Sequence, residues 1–114
     1  MKIKDQIKYE DFQKLDIRVG TIVLVQEITN SEKLWRLQVD FGELGKKQIL
    51  SGIKKWYSAE ELTGLQALFV VNLEPRQMMG LVSEGMILAV DCGDESKPVL
   101  IGPRELMLNG LAVR

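Results

Sequence analysis

Hydrophobic and polar positions alternate most cleanly near the middle of the first half. Trp35, Leu37, Val39 and Phe41 are separated by Arg36, Gln38 and Asp40. A period of two sends successive side chains to opposite faces, so this stretch predicts a strand with an apolar inner face and a polar outer one. Upstream, the β-branched density from Ile17 to Ile28 and the placing of Gly20 predict a long, bent strand. Before it, "KYEDFQKL" (8–15) spaces Phe12 and Leu15 for a short helix covering one end of a core. "GELGKK" supplies glycines for a turn, and "KQILSGI" (47–53) follows as a third strand. In "YSAEELTG", Ser58 stands three residues before Glu61, as in a capping box, and Gly64 fits the stop of a short helix. "LQALFVVNL" (65–73) is apolar on both faces, as a buried central strand would be. "EPRQMMGL" (74–81) reads as a loop and "SEGMILAV" (83–90) as a fifth strand.

Three strands, a short helix, two more strands and a β-rich tail are the order of an open five-stranded oligonucleotide-binding (OB) barrel. A β-rich α+β domain produces a similar string, so the pattern alone leaves both open.

Composition narrows the class. The 114 residues, 46% hydrophobic and without a Pro/Gly/Ser-rich linker, predict one domain over 1–114. No run approaches the ~18 apolar residues of a membrane span, and "MKIKDQIKYEDF" lacks the apolar core of a signal peptide, so a cytoplasmic location is expected. Histidine is absent and Cys92 is the single cysteine. The usual zinc sites, Ser-His-Asp triads and Cys-His pairs therefore cannot be assembled. Neither a GxGxxG nor a GxxxxGK[ST] motif occurs, which removes the common dinucleotide and phosphate loops. A binding role without cofactor or metal is the expectation, not an enzyme.

The net charge of −1 argues against a polyanion partner, but its distribution does not. Residues 33–55 carry Lys33, Arg36, Lys46, Lys47, Lys54 and Lys55 against Asp40 and Glu43, a local charge of +4. Residues 84–95 carry Glu84, Asp91, Asp94 and Glu95, a local charge of −4. A basic face with acids at the far end suits phosphate contacts; lysines that merely keep a barrel soluble give the same count.

The blocks "FQKLDIRVGTIVLVQEI", "TNSEKLWRLQVDFG", "QILSGIKKWYSAEELTG", "VVNLEPRQMMGLVSEGMILA" and "VLIGPRELMLNG" fall in order over residues 9–113. Together they resemble the tRNA-binding domain family. That family comprises free-standing dimeric tRNA-binding proteins, the C-terminal domain of methionyl-tRNA synthetases, and a domain of the multisynthetase cytokine precursor. The resemblance implies the OB barrel, over about 9–94, with a C-terminal β extension at 97–114 that builds a two-fold homodimer. It implies tRNA binding, as an auxiliary to an aminoacyl-tRNA synthetase, and the scarcity of exposed aromatics favours recognition of tRNA shape through its backbone. The family's "HPNADKL" reads "ITNSEKL" here, so Asn30 and Lys33 match while Ile28 and Thr29 replace His-Pro. By the same match Lys47, Gln48 and Ser51 face the tRNA groove, and Arg76, Ser83, Glu84 and Met86 complete its wall. Arg36 and Lys54, from the basic stretch, join them as candidates. Glu84 is odd on such a surface; it accepts from a base or 2′-hydroxyl, or holds Arg76 in place.

Trp35 alternates with core positions, whereas Trp56 and Tyr57, beside Lys54 and Lys55, are the stacking candidates, with Tyr57 equally placed to cap the barrel ahead of Ser58. Asp16 and Arg18 read as a structural or interface pair, or as a solvated ion pair. In the tail, Leu106, Met107, Leu108 and Leu111 would stay partly bare in a monomer, unless the tail only closes its own barrel. A second function stays open: a secretion-associated branch of this fold is a peptide-binding chaperone with an apolar groove.

Overall fold

The computed structural model describes residues 1–114, and its geometry is set by strand β1 (Ile17–Glu27). Over Thr21–Glu27 β1 pairs antiparallel with β2 (Trp35–Asp40), which in turn pairs with β3 (Lys46–Ser51). Over Ile17–Thr21 it pairs with β4 (Gln66–Val70). One strand can serve two partners because it bends. The register shifts between Ile22 and Leu24, a bulge at Val23 that adds twist to the curvature expected at Gly20. A Cβ at Gly20 would lie 2.6 Å from Val39 Cγ1 and 2.7 Å from Phe41 Cε1, so the bent strand crosses the core where only glycine fits.

The alternation of Trp35, Leu37, Val39 and Phe41 holds, and all four are buried. They meet Ile22, Ile49 and Phe69, with the Phe41 and Phe69 rings edge-to-face at 5.3 Å. Helix α1 (Tyr9–Gln13) buries no residue; Phe12 is half-buried and Leu15 46% exposed, so the expected end cover is not formed by this helix. Helix α2 (Ala59–Leu62) does that work instead, with Leu62 fully buried and the Ser58–Glu61 capping box formed in both directions.

Two expectations need correction. The segment 74–81 is not a plain loop. It contains β5 (Arg76–Met78), which forms a hairpin with β6 (Leu81–Ser83). Met79 and Gly80 turn it with φ of 52° and 77°, the positive pair that a tight two-residue turn requires. The fifth strand is likewise broken, into β6, β7 (Met86–Ile87) and β8 (Ala89–Val90). Side chains interrupt it. Leu50 N–H donates to Ser83 Oγ at 3.0 Å and Gln48 N–H to Glu84 Oε1 at 2.9 Å, while one backbone bond, Glu84 N–H to Gln48 O at 2.8 Å, remains. These bonds join β3 to the last strand and nearly close a five-stranded antiparallel barrel.

The tail then wraps the barrel. β9 (Val99–Leu100) pairs with β8, and β10 (Ala112–Val113) pairs with Ile17 and Arg18 of β1. Ile17 also pairs with Val70, so β10 occupies the edge of β1 opposite β4. Gln66 fastens the span between them, donating to Met107 O at 2.6 Å and accepting from Met107 N–H at 2.9 Å.

Candidate nucleic-acid interface

The register of β1–β3 sets Gln26 opposite Arg36, and Gln38 opposite Gln48, on the outer face of the sheet. The loop 28–34 borders a cleft with Met79 of the β5–β6 hairpin, and Val82 O of that hairpin accepts from Gln48 Nε2; loops beside strands two and three are where OB barrels hold oligonucleotides. Three clefts run along this face. Asn30, Lys33 and Lys54 line the largest, of about 1040 Å³, together with Met79 at the hairpin tip. Arg36, Lys47, Gln48 and Glu84 line one of about 200 Å³, with Lys46. Ser51, Arg76, Ser83 and Met86 line one of about 290 Å³, which shares Leu34 and Gly52 with the largest. All the candidate residues thus border neighbouring clefts, although they come from four separate stretches of chain.

Their local tasks differ. Lys33 and Arg76 are exposed and belong to no ion pair. Arg36 donates from Nε to Gln48 Oε1 at 2.7 Å, leaving its terminal nitrogens for another acceptor. Gln48 is further held by its Nε2 bond to Val82 O, 2.8 Å. Ser83 is 3% exposed, and its hydroxyl accepts from Leu50 N–H and donates to Gly85 O. Glu84, the odd acid, spends Oε1 on the Gln48 backbone rather than on Arg76, so it closes the barrel. Lys47 lies opposite Val39 and Ser51 opposite Trp35, on the parity of the core, whereas Gln48 lies opposite Gln38 on the outer one. Adjacent strand residues face opposite ways, so Lys47 and Ser51 leave the strand on the side opposite Gln48, while Lys47 and Gln48 still border one cleft. Met86 is 47% exposed. Lys46 and Met79 line these clefts without being binding candidates from sequence, where Met79 reads with Met78 as an apolar packing tip. Lys46 was discoverable from the basic run, but Met79 joins the cleft only through the hairpin.

The aromatic candidates separate. Trp35 is core, its Nε1 donating to Tyr57 O at 2.7 Å. Tyr57 anchors the tail, donating to Pro98 O at 2.8 Å beneath the Lys97 ammonium. Trp56 is half-buried with Lys55 over its ring. Asp16 and Arg18 form a two-point pair, at 2.6 and 3.4 Å, and Arg18 Nη1 donates to Gly110 O at 3.0 Å. That pair is structural: it ties the tail to β1. Two carboxyls are held below the usual range, Glu61 by hydrogen bonds from Ser58 and Asp94 by those from Ser96, and neither lines these clefts. No helix is long and apolar enough to cross a membrane.

Residues 17–112 match the family model described as "Putative tRNA binding domain". Over 104 residues, 91% of the chain, it is 45% identical to a methionine–tRNA ligase of Porphyromonas gingivalis, but spans only 15% of that ligase. Among solved structures, a MetRS related protein from Pyrococcus horikoshii superimposes with a TM-score of 0.89 at 32% identity, covering 97% of this chain and all of that one. The chaperone CsaA from Bacillus anthracis superimposes with a TM-score of 0.86 at 35% identity, covering 96% and 100%. Ordered sequence blocks, barrel and matched length agree, and the chain belongs to the tRNA-binding domain family.

Proposed function

We propose that this chain is a non-catalytic tRNA-binding module that grips folded tRNA by shape and backbone, as a two-fold homodimer serving a synthetase in trans. The observation that carries the reading is that Asn30 and Lys33 line one cleft, Arg36 a second, and Arg76 a third that shares Leu34 and Gly52 with the first, in a chain of this family. The cationic tips there would meet phosphates, which fix register without reading sequence. Ser83 and Glu84 would act on the ligand only indirectly, by keeping β3 and the hairpin in place. With Trp35 and Tyr57 committed inside the protein, little is left to stack on splayed bases, which favours recognition of A-form shape.

Binding measured at stepped salt tests this. tRNA affinity should fall steeply with salt as counterions are released, and several unrelated tRNAs should bind within about tenfold of one another, a spread of ~1.4 kcal/mol. An unstructured RNA of equal length should compete worse; equal competition would leave only non-specific charge. The competing reading is a peptide-binding chaperone, supported by the likeness to the protein named chaperone CsaA and by the acidic sequence pI of about 5.5. Peptide binding through apolar contact should be nearly indifferent to salt.

A further inference from the structure

Lys54 was a phosphate candidate because it lies in the basic stretch, yet its surroundings differ from those of Lys33. Its ammonium donates to Ser31 O at 3.3 Å, lies 3.4 Å from Glu27 Oε1, and sits 5.0 Å above the centre of the Trp35 ring. One ammonium proton goes to Ser31 O, while the Glu27 carboxylate and the face of the Trp35 ring draw on the same positive charge. Its side chain is only 20% exposed, and the nearby Glu27 carboxylate would repel an approaching phosphate. The backbone reinforces the attachment, since Lys54 N–H donates to Lys33 O at 3.2 Å.

What these bonds hold is the loop between β1 and β2. Inside the loop, Ile28 is buried, Ser31 N–H bonds Ile28 O, Asn30 takes a left-handed φ of 65°, and Ser31 Oγ accepts from Leu34 N–H. Those contacts are local turns. The bonds from Lys54 are what fasten the loop's middle to the far end of β3's connection, more than twenty residues away in sequence.

We propose that Lys54 is a positioning residue: its engaged ammonium holds the loop 28–34 where Asn30 and Lys33 line the large cleft, and it does not itself contact phosphate. This rests on the tRNA reading above. Lys54→Met keeps the aliphatic stem on Trp35 and removes the charge. tRNA affinity should fall about tenfold, the scale of one charge-assisted hydrogen bond, while the slope of log affinity against log salt stays that of the parent. Amide exchange at residues 29–33 should quicken with the thermal midpoint of the barrel nearly unchanged. Lys33→Met supplies the contrast, a slope smaller by ~0.7–0.9 and parental exchange in the loop. A reduced slope in Lys54→Met would make it a phosphate contact and overturn the proposal, as would unchanged loop exchange or unchanged affinity. Should the parent chain bind no tRNA, the tRNA reading fails by itself and the proposal with it. The exchange arm then still reports whether Lys54 restrains the loop.

Discussion

At the scale of single residues, the structure separates charges that are free from charges that are spent. Lys33 and Arg76 project from two different cleft walls without ion-pair partners. Lys33→Glu with Arg76→Glu should therefore abolish tRNA binding in a shift assay while leaving the thermal melt almost unmoved, because neither side chain supports the fold. Unchanged binding would mean the basic face is only solvated. Arg18 is the opposite case. Its guanidinium joins Asp16 to Gly110 O across 92 residues of sequence, with about a third of the side chain in water. Arg18→Met should lower stability by about 1 kcal/mol, the discounted value of a charge-assisted contact about one-third exposed, and denaturant titration would measure it. The Asp16–Arg18 spacing was visible in the sequence. That its third partner is a carbonyl of the tail was not, because a backbone acceptor leaves no residue-type signature.

At the scale of elements, strand β2 and helix α2 were the most legible. The capping box predicted at Ser58–Glu61 forms with both bonds near 3 Å. The bond from Ser58 to the Glu61 carboxylate holds that group below the usual range, and a depressed carboxyl contributes stability present at neutral pH. That contribution is lost as pH falls from the ordinary glutamate value through the native one. Glu61→Ala removes the carboxylate that accepts from Ser58 N–H, and should lower the melting temperature at pH 7 and flatten its decline on the acid side, followed by circular dichroism. At β1, Gly20→Ala would push a methyl against Val39 and Phe41; overpacking of that kind costs about 1–3 kcal/mol. The β5–β6 hairpin was missed because its turn, Met79–Gly80, lacks the Asn-Gly or Asp-Gly signal, and Met79 takes its positive φ without that chemistry. The last strand was overextended because Ser83 and Glu84 stand in for ladder bonds, which an apolar period cannot reveal.

At the scale of the whole molecule, apolar side chains remain uncovered on the tail, Leu106 at 88% and Leu108 at 77% exposure. The tail is already bonded to its own barrel through Gln66 and β10, so these leucines are left over from, not used by, its closure. A two-fold contact would cover them on both copies at once. Sedimentation at micromolar concentration should show a dimer, and Leu106→Glu with Leu108→Glu should yield a folded monomer of 12.9 kDa. A parent chain that sediments only as monomer would remove this assembly.

The first three strands and the fourth after the helix, the inward set Trp35, Leu37, Val39 and Phe41, the capped helix and the family could be read from the sequence by itself, because each is written in local period or in ordered short blocks. Tertiary structure alone decided which polar residues were still available to a ligand. Lys54 and Lys33 lie in one basic stretch, yet one is enclosed by Glu27, Ser31 and Trp35 and the other is free. Glu84 and Gln48 are 36 positions apart, yet they join the two sides of the barrel. Those assignments depend on which distant backbone or side chain arrives alongside, and chain closure sets that, not residue type.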